Sequence, residues 1–207
     1  MAGGTAAEEG APRRGRPRSE TSRTAILAAA RELLDEQDLS SISMDAVAVR
    51  AGASKATIYR WWASKELLAL DALFSAWAPA RPHPRDTGSL AGDLLALMRP
   101  WARQLAARPY GRVIAALIAK AQSDPDFAEE YRARFVQPRR DQARAIFGRA
   151  IDRGEIPADT DVEVAVDLLY GPFYHRILHG HAKLTDRFTR AIVSHVAVAV
   201  GQAHAVT

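Results

Sequence analysis

Apolar residues recur along this chain at the three-to-four-residue spacing of a helix face. Ile26, Ala30, Leu33 and Leu34 predict a first helix from about Ser22 to Gln37. Met44, Val47, Ala48 and Ala51 form the stripe of a second, with Ser43 as its N-cap and Asp45 in its first turn. Gly52 suits the left-handed position just past that helix. Ser54 caps a third helix reaching about Trp62, and Ser64 a fourth reaching about Trp77. Three prolines and a glycine between Ala78 and Gly88 mark a loop. Five more helices follow: Leu90 to Ala107, Tyr110 to Gln122, Phe127 to Arg153, Val162 to His179 and Asp186 to Ala203. Pro100, Pro138 and Gly171-Pro172 fall inside three of them and are expected to kink or break them. Val196 to Val200 alternates like a strand, but no partner strand exists, so helix is the better reading. The expectation is an all-α fold of about nine helices.

Composition narrows this picture. Forty-eight per cent of the 207 residues are hydrophobic, ample for a packed core. The net charge of +4 is small, but its distribution is uneven. Val49 to Lys65 carries four basic residues and no acidic one, and Arg13 to Arg18 holds four arginines. Residues 1 to 18, rich in Gly, Ala, Pro and Arg, are expected to form a mobile basic arm. No cysteine is present, which excludes disulfides and thiolate metal sites. No window is apolar enough for a membrane helix, and the N-terminus lacks a secretory core, so a soluble cytoplasmic protein is expected.

Two short helices broken by a glycine, the second rich in basic and aromatic residues, fit a helix-turn-helix. In that motif the second helix enters the major groove while the first crosses the backbone. About eight residues span roughly 12 Å, enough to meet a few base pairs. Ile58 and Trp62, four apart, are expected to face inward. Lys55, Ala56, Thr57, Tyr59, Arg60 and Trp61 then face outward. Lys and Arg suit guanine edges, and Ala or a Thr methyl suits the thymine methyl. Tyr59, Ser43 and Lys65 suit phosphates. A surface helix hairpin without DNA chemistry is the bland alternative.

The order SMDAVAVRAGASKATIYRWWASKELL, from Ser43 to Leu68, resembles the DNA-binding region of the tetracycline-repressor (TetR) family. The shared pattern is an apolar second helix, Ala-Gly, a Ser opening the third helix, Thr-apolar-Tyr, an aromatic, then Lys-Glu. The resemblance covers about Ser22 to Ala72 and implies DNA contacts at Thr57, Tyr59, Trp61 and Lys65, with variable base contacts at Lys55, Ala56 and Arg60. Trp61 departs from the histidine or other polar residue that many members carry. The arm also resembles an AT-hook core, Arg-Gly-Arg-Pro, which implies minor-groove or phosphate contact by Arg14 and Arg16 in extended form.

The resemblance further implies a DNA-binding domain over residues 19–66 and an effector-binding and dimerisation domain over 67–207. One short recognition helix reads few bases, so a two-fold dimer on a palindrome supplies specificity. The family's last two helices usually form the dimer interface. Here the stripe Phe188, Ala191, Ile192, His195, Val196 and Ala199 suits that role. Met98, Trp101, Tyr110, Ile114, Phe135, Tyr170, Tyr174 and His175 are expected to line an effector cavity, unless they are ordinary core. His175, His179 and His181 cluster in sequence, but neither cysteine nor a zinc-protease pattern accompanies them, and no metal or cofactor is expected. The resulting expectation is a non-enzymatic transcriptional regulator, most readily a repressor released from its operator by a small molecule. An architectural DNA-binding protein is the alternative.

Overall fold

The structure, a computed structural model, describes residues 16–77, 85–107 and 109–201. Residues 1–15, most of the expected arm, lie outside the described residues, as does most of the Pro-rich loop. No strand occurs among the described residues, and no described helix is long and apolar enough to cross a membrane.

The N-terminal part comprises α1 (Arg16–Glu36), α2 (Met44–Ala51), α3 (Lys55–Tyr59) and α4 (Lys65–Trp77). The first helix starts six residues before the expected Ser22. Pro17 sits in its first turn, where a missing N–H has no intrahelical partner to lose. Arg16 to Arg18 therefore have a helical backbone, not the extended form expected of a hook. Helices α2 and α4 pack on α1, whose stripe Ile26, Ala30, Leu33 and Leu34 is buried. Helix α4 is buried on more than one face: Leu68, Leu70, Ala72 and Leu73 are each almost fully covered. One side meets α1 and another meets α6 and α7, so α4 belongs to both halves of the molecule.

The second part comprises α5 (Leu90–Ala106), α6 (Tyr110–Ser123), α7 (Pro125–Tyr131), a π-turn (Arg132–Val136), α8 (Gln137–Asp152), α9 (Val162–His179) and α10 (Asp186–Gly201). Helix α5 packs on α8 and α10, and α9 on α8, α10 and α6. The expected interruption at Pro138 takes the form of the π-turn. Pro138 cannot donate to the Arg134 carbonyl, and one residue earlier the Gln137 N–H bonds back to Arg132. Counting α7, the π-turn and α8 as one rod leaves nine rods among the described residues. Pro100 and Gly171-Pro172, by contrast, do not break α5 and α9. Long buried faces on both sides of each proline (Leu94, Met98 and Leu105 around Pro100; Val166, Leu169 and Phe173 around Pro172) hold these helices together. Val196 to Val200 lies in α10, so the alternation there is not a strand.

The entry to α5 is pinned by a buried carboxylate. Asp93 accepts hydrogen bonds from the Thr87 N–H at 2.6 Å, the Thr87 hydroxyl at 2.7 Å and Arg149 of α8 at 3.0 Å. Burial alone raises its pKa, but these donors outweigh it and hold the carboxyl below its ordinary value.

Candidate nucleic-acid interface

Local sequence builds the helix-turn-helix. The Ser43 hydroxyl accepts from the Ala46 N–H at 3.1 Å and opens α2. Gly52 closes it at φ 59°, with the Ala53 N–H reaching back to the Ala48 carbonyl at 3.0 Å. Ser54 opens α3, accepting from the Thr57 N–H at 3.1 Å, and its hydroxyl also pairs with that of Thr57 at 2.8 Å. The helix ends earlier than expected, at Tyr59. Arg60 to Trp62 continue as a tight turn in which the Trp61 and Trp62 N–H groups share the Ile58 carbonyl. That turn frees Ser64 to cap α4 through the Leu67 N–H at 3.2 Å.

Ile58 and Trp62 hold this short helix from behind, at 0% and 1% exposure. The Trp62 indole N–H donates to Asp71 of α4 at 2.9 Å. On the outer side stand Tyr59, more than half exposed, Arg60, Ala56's neighbour Lys55, and Trp61. Trp61 lies in a cationic setting, with the guanidinium groups of Arg23 and Arg60 each 5.8 Å from its ring centre.

Two expected phosphate or base ligands are already engaged. Lys55 pairs with Asp45 of α2 at 2.5 Å, and this hydrogen bond raises its pKa. Lys65 donates to the carbonyls of Ser40 at 2.9 Å and Ile42 at 3.1 Å, tying the start of α4 to the α1–α2 loop. An ammonium has three donors, so one remains for an anion. Arg14 lies outside the described residues, and Arg16 begins α1. Sequence reasoning missed Arg23 and Asp71, and read Asp45 only as a first-turn acid of α2, not as the partner of Lys55. Asp71 left a trace: it is the lone charge in the run from Leu67 to Trp77, and an acid in such a helix is rarely buried without partners.

The expected cavity residues divide. Met98, Ile114 and Phe135 are fully buried core, and Tyr110 is packed against that core. Trp101 sits edge-on to Tyr170 and Phe173, both at 5.2 Å, and to Tyr174 at 5.9 Å. Its indole N–H is buried without a hydrogen-bond partner. Tyr170 and Tyr174 also line a groove of about 220 Å³ between the π-turn and α8 on one side and α9 on the other, together with Arg139 and Arg140. Burial pushes the pKa of both tyrosines up, which keeps them neutral.

His175 does not join them. It points outward from α9, 4.6 Å from the His179 ring and 4.9 Å from the His181 ring. Sequence spacing put it on the helix, but Tyr174 takes the inward position. No trio of metal-ligating side chains is arranged to hold a metal among the described residues. The α10 stripe is split as well. Val196 is buried in its own subunit, and Phe188 packs on Phe173 at 5.1 Å. Val164, Leu168 and Leu178 of α9 and Val198 of α10 stay about half exposed.

The bacterial regulatory proteins, tetR family model matches residues 26–72, and the tetracyclin repressor-like, C-terminal domain model matches residues 84–196. The chain belongs to the TetR family. It is 42% identical over 181 residues to the uncharacterized HTH-type transcriptional regulator YdeS of Bacillus subtilis (strain 168), covering 87% of this chain and 90% of that one. It is 34% identical to the DNA-binding transcriptional repressor TetR of Mycobacteroides abscessus, covering 86% and 93%. The crystal structure of the TetR family transcription regulator SCO0332 superposes with a TM-score of 0.73 at 37% identity, covering 86% of this chain and 98% of that one. Members of the family are ligand-responsive DNA-binding transcriptional regulators, not enzymes.

Proposed function

We propose that the protein reads a palindromic operator as a dimer, with α3 in the major groove and residues 19–66 as the reading domain. The observation that carries this reading is the opposition of faces on α3 and the turn that follows it: Ile58 and Trp62 are sealed behind, while Tyr59, Arg60 and Trp61 stand in front. Arg60, Ala56 and Thr57 meet base edges, and Lys55 reaches them on release from Asp45. Tyr59, Ser43 and the third donor of Lys65 hold phosphates, and Trp61 lies against the backbone beside Arg23. Arg14 and Arg16 add phosphate contacts from the arm.

Helices α9 and α10 join the subunits through the half-exposed Val164, Leu168, Leu178 and Val198, a stripe that a second copy would cover. The effector occupies the groove between α8 and α9, where Arg139, Arg140 and the tyrosines give it polar anchors. Binding there favours a state with weaker DNA affinity, so DNA must weaken effector binding equally.

Selection of bound DNA from a random pool tests the reading. A palindrome whose half-sites are spaced for two recognition helices is expected, preferred over bulk DNA by about 10³-fold or more. Enrichment of no sequence would leave only general DNA binding and overturn it.

A further inference from the structure

Asp71 joins three separate parts of the molecule. Its Oδ2 accepts from the Trp62 indole N–H at 2.9 Å, immediately behind the recognition helix. The same oxygen meets Arg23 of α1 at 3.5 Å, and that guanidinium lies 5.8 Å from both the Trp61 and the Trp62 ring centres. Its Oδ1 accepts from Arg134 at 3.2 Å, and Arg134 belongs to the π-turn of the C-terminal part. The carboxylate is only 17% exposed, so solvent screens these contacts less than it screens a surface pair. By contrast the Arg112–Asp38 pair, which also joins the two parts, has both side chains more than half exposed.

The π-turn is well placed to report on the groove. Beside Arg134, Phe135 is fully buried and meets Phe74 of α4 edge-on at 5.5 Å. Arg139 lies over the Phe135 ring at 3.7 Å, donates to the Phe135 carbonyl at 2.6 Å, and lines the groove with Tyr170 and Tyr174. A π-turn is a rare register that is frequent at functional sites, and here it carries both Arg134, which reaches Asp71, and the Phe135 carbonyl that Arg139 of the groove holds.

We propose that Asp71 is the positioning residue through which the C-terminal part sets the recognition helix: Arg134 holds one carboxylate oxygen while the other holds Trp62. Movement of the π-turn withdraws Arg134, loosens the carboxylate and frees the indole that fixes α3. This rests on the reading of α3 as the DNA-reading helix.

The test uses the full chain and its selected operator. Arg134→Ala lies on the C-terminal part, and the lost side chain is 42% exposed. It is expected to weaken operator binding at least about fivefold, a typical coupling magnitude, while base preference and thermal stability stay those of the parent. Arg134→Lys restores most of the affinity. In an Asp71→Asn background, which keeps an oxygen for the Trp62 indole, Arg134→Ala adds less than about twofold. Unchanged or increased affinity for Arg134→Ala, or an equal loss in both backgrounds, overturns the proposal. If the parent itself selects no DNA sequence, the reading of α3 fails instead, and the two failures are distinct.

Discussion

The N-terminal bundle and the C-terminal bundle are both packed helices, but they keep their chemistry in different places. In the first, the candidate reading side chains face outward from a helix of five residues and the turn after it, and neighbours in sequence do most of the positioning. Ser54 caps, Ile58 anchors, and Tyr59 and Arg60 present themselves, all within seven residues. In the second, polar groups with functional potential lie inside, assembled across long sequence separations. Tyr170 donates to the Arg139 carbonyl at 3.2 Å, and Asp93 meets Arg149 across 56 positions. A reader must show its chemistry to a large partner, whereas a sensor must enclose a small one.

The sharpest way to break the contrast is to remove the anchor of the reader. Trp62→Ala empties a fully buried site and strips Asp71 of its indole donor. It is expected to cost about 3–5 kcal/mol of stability and to abolish operator binding. Thermal unfolding followed by circular dichroism measures the first effect and fluorescence anisotropy the second. A variant that melts and binds like the parent would mean that α3 is not held from behind.

Next in size is the reading itself. Arg60→Ala touches no buried contact and is expected to leave stability within about 0.5 kcal/mol. Operator affinity should fall by about 1–3 kcal/mol at one base position, with relaxed preference there. Equal losses on every sequence would move Arg60 from base reading to phosphate holding.

How far each half was legible in the sequence follows from the same contrast. The caps Ser43, Ser54 and Ser64, the Gly52 stop and the Ile58–Trp62 pair were readable because each is a local rule with a fixed offset. The ends were less so: α1 begins at Arg16 because proline is tolerated in a first turn, and α3 shortens because Ser64 must cap α4. In the C-terminal part helix existence was readable, but facing was not. His175 and Tyr174 are adjacent, and which one turns inward depends on Trp101, 73 positions earlier by their numbering. Likewise Val196 and Phe188 were as suited to a second subunit as to their own core, and tertiary packing alone assigns them inward. Asp45 and Asp71 sat in plain view, yet their partners Lys55, Arg23 and Arg134 emerge only when helices pack.

Lys65 belongs to both descriptions, since two of its donors serve the fold and the third is proposed to hold DNA. Lys65→Ala loses two bonds to the α1–α2 loop carbonyls and is expected to cost about 1 kcal/mol of stability. If its third donor also holds a phosphate, the slope of log affinity against log salt flattens by about one unit, with base preference unchanged. A stability loss with an unaltered slope would assign Lys65 wholly to the fold.

The smallest effect expected belongs to the C-terminal part alone. Glu163 at the start of α9 accepts from Arg144 at 2.5 and 2.9 Å and from Arg140 at 2.6 Å, both on α8. The Arg144 bonds first, then Arg140, hold its carboxyl down from the ordinary 4.5 to about 2. A carboxylate with a lowered pKa stabilises the fold above its unfolded value, and that contribution disappears as pH falls through the folded value. The window here runs from about 4.5 down to about 2. The group is exposed and screened, so the effect is modest. Glu163→Gln should melt slightly below the parent at neutral pH, and the gap should close as pH falls through that window. Operator affinity at neutral pH should not change, since Glu163 bonds, among the described residues, only to Arg140 and Arg144 of α8 and to neither α3 nor Asp71. A gap that persists at the acid end would show that packing of the side chain, not its charge, joins α8 to α9.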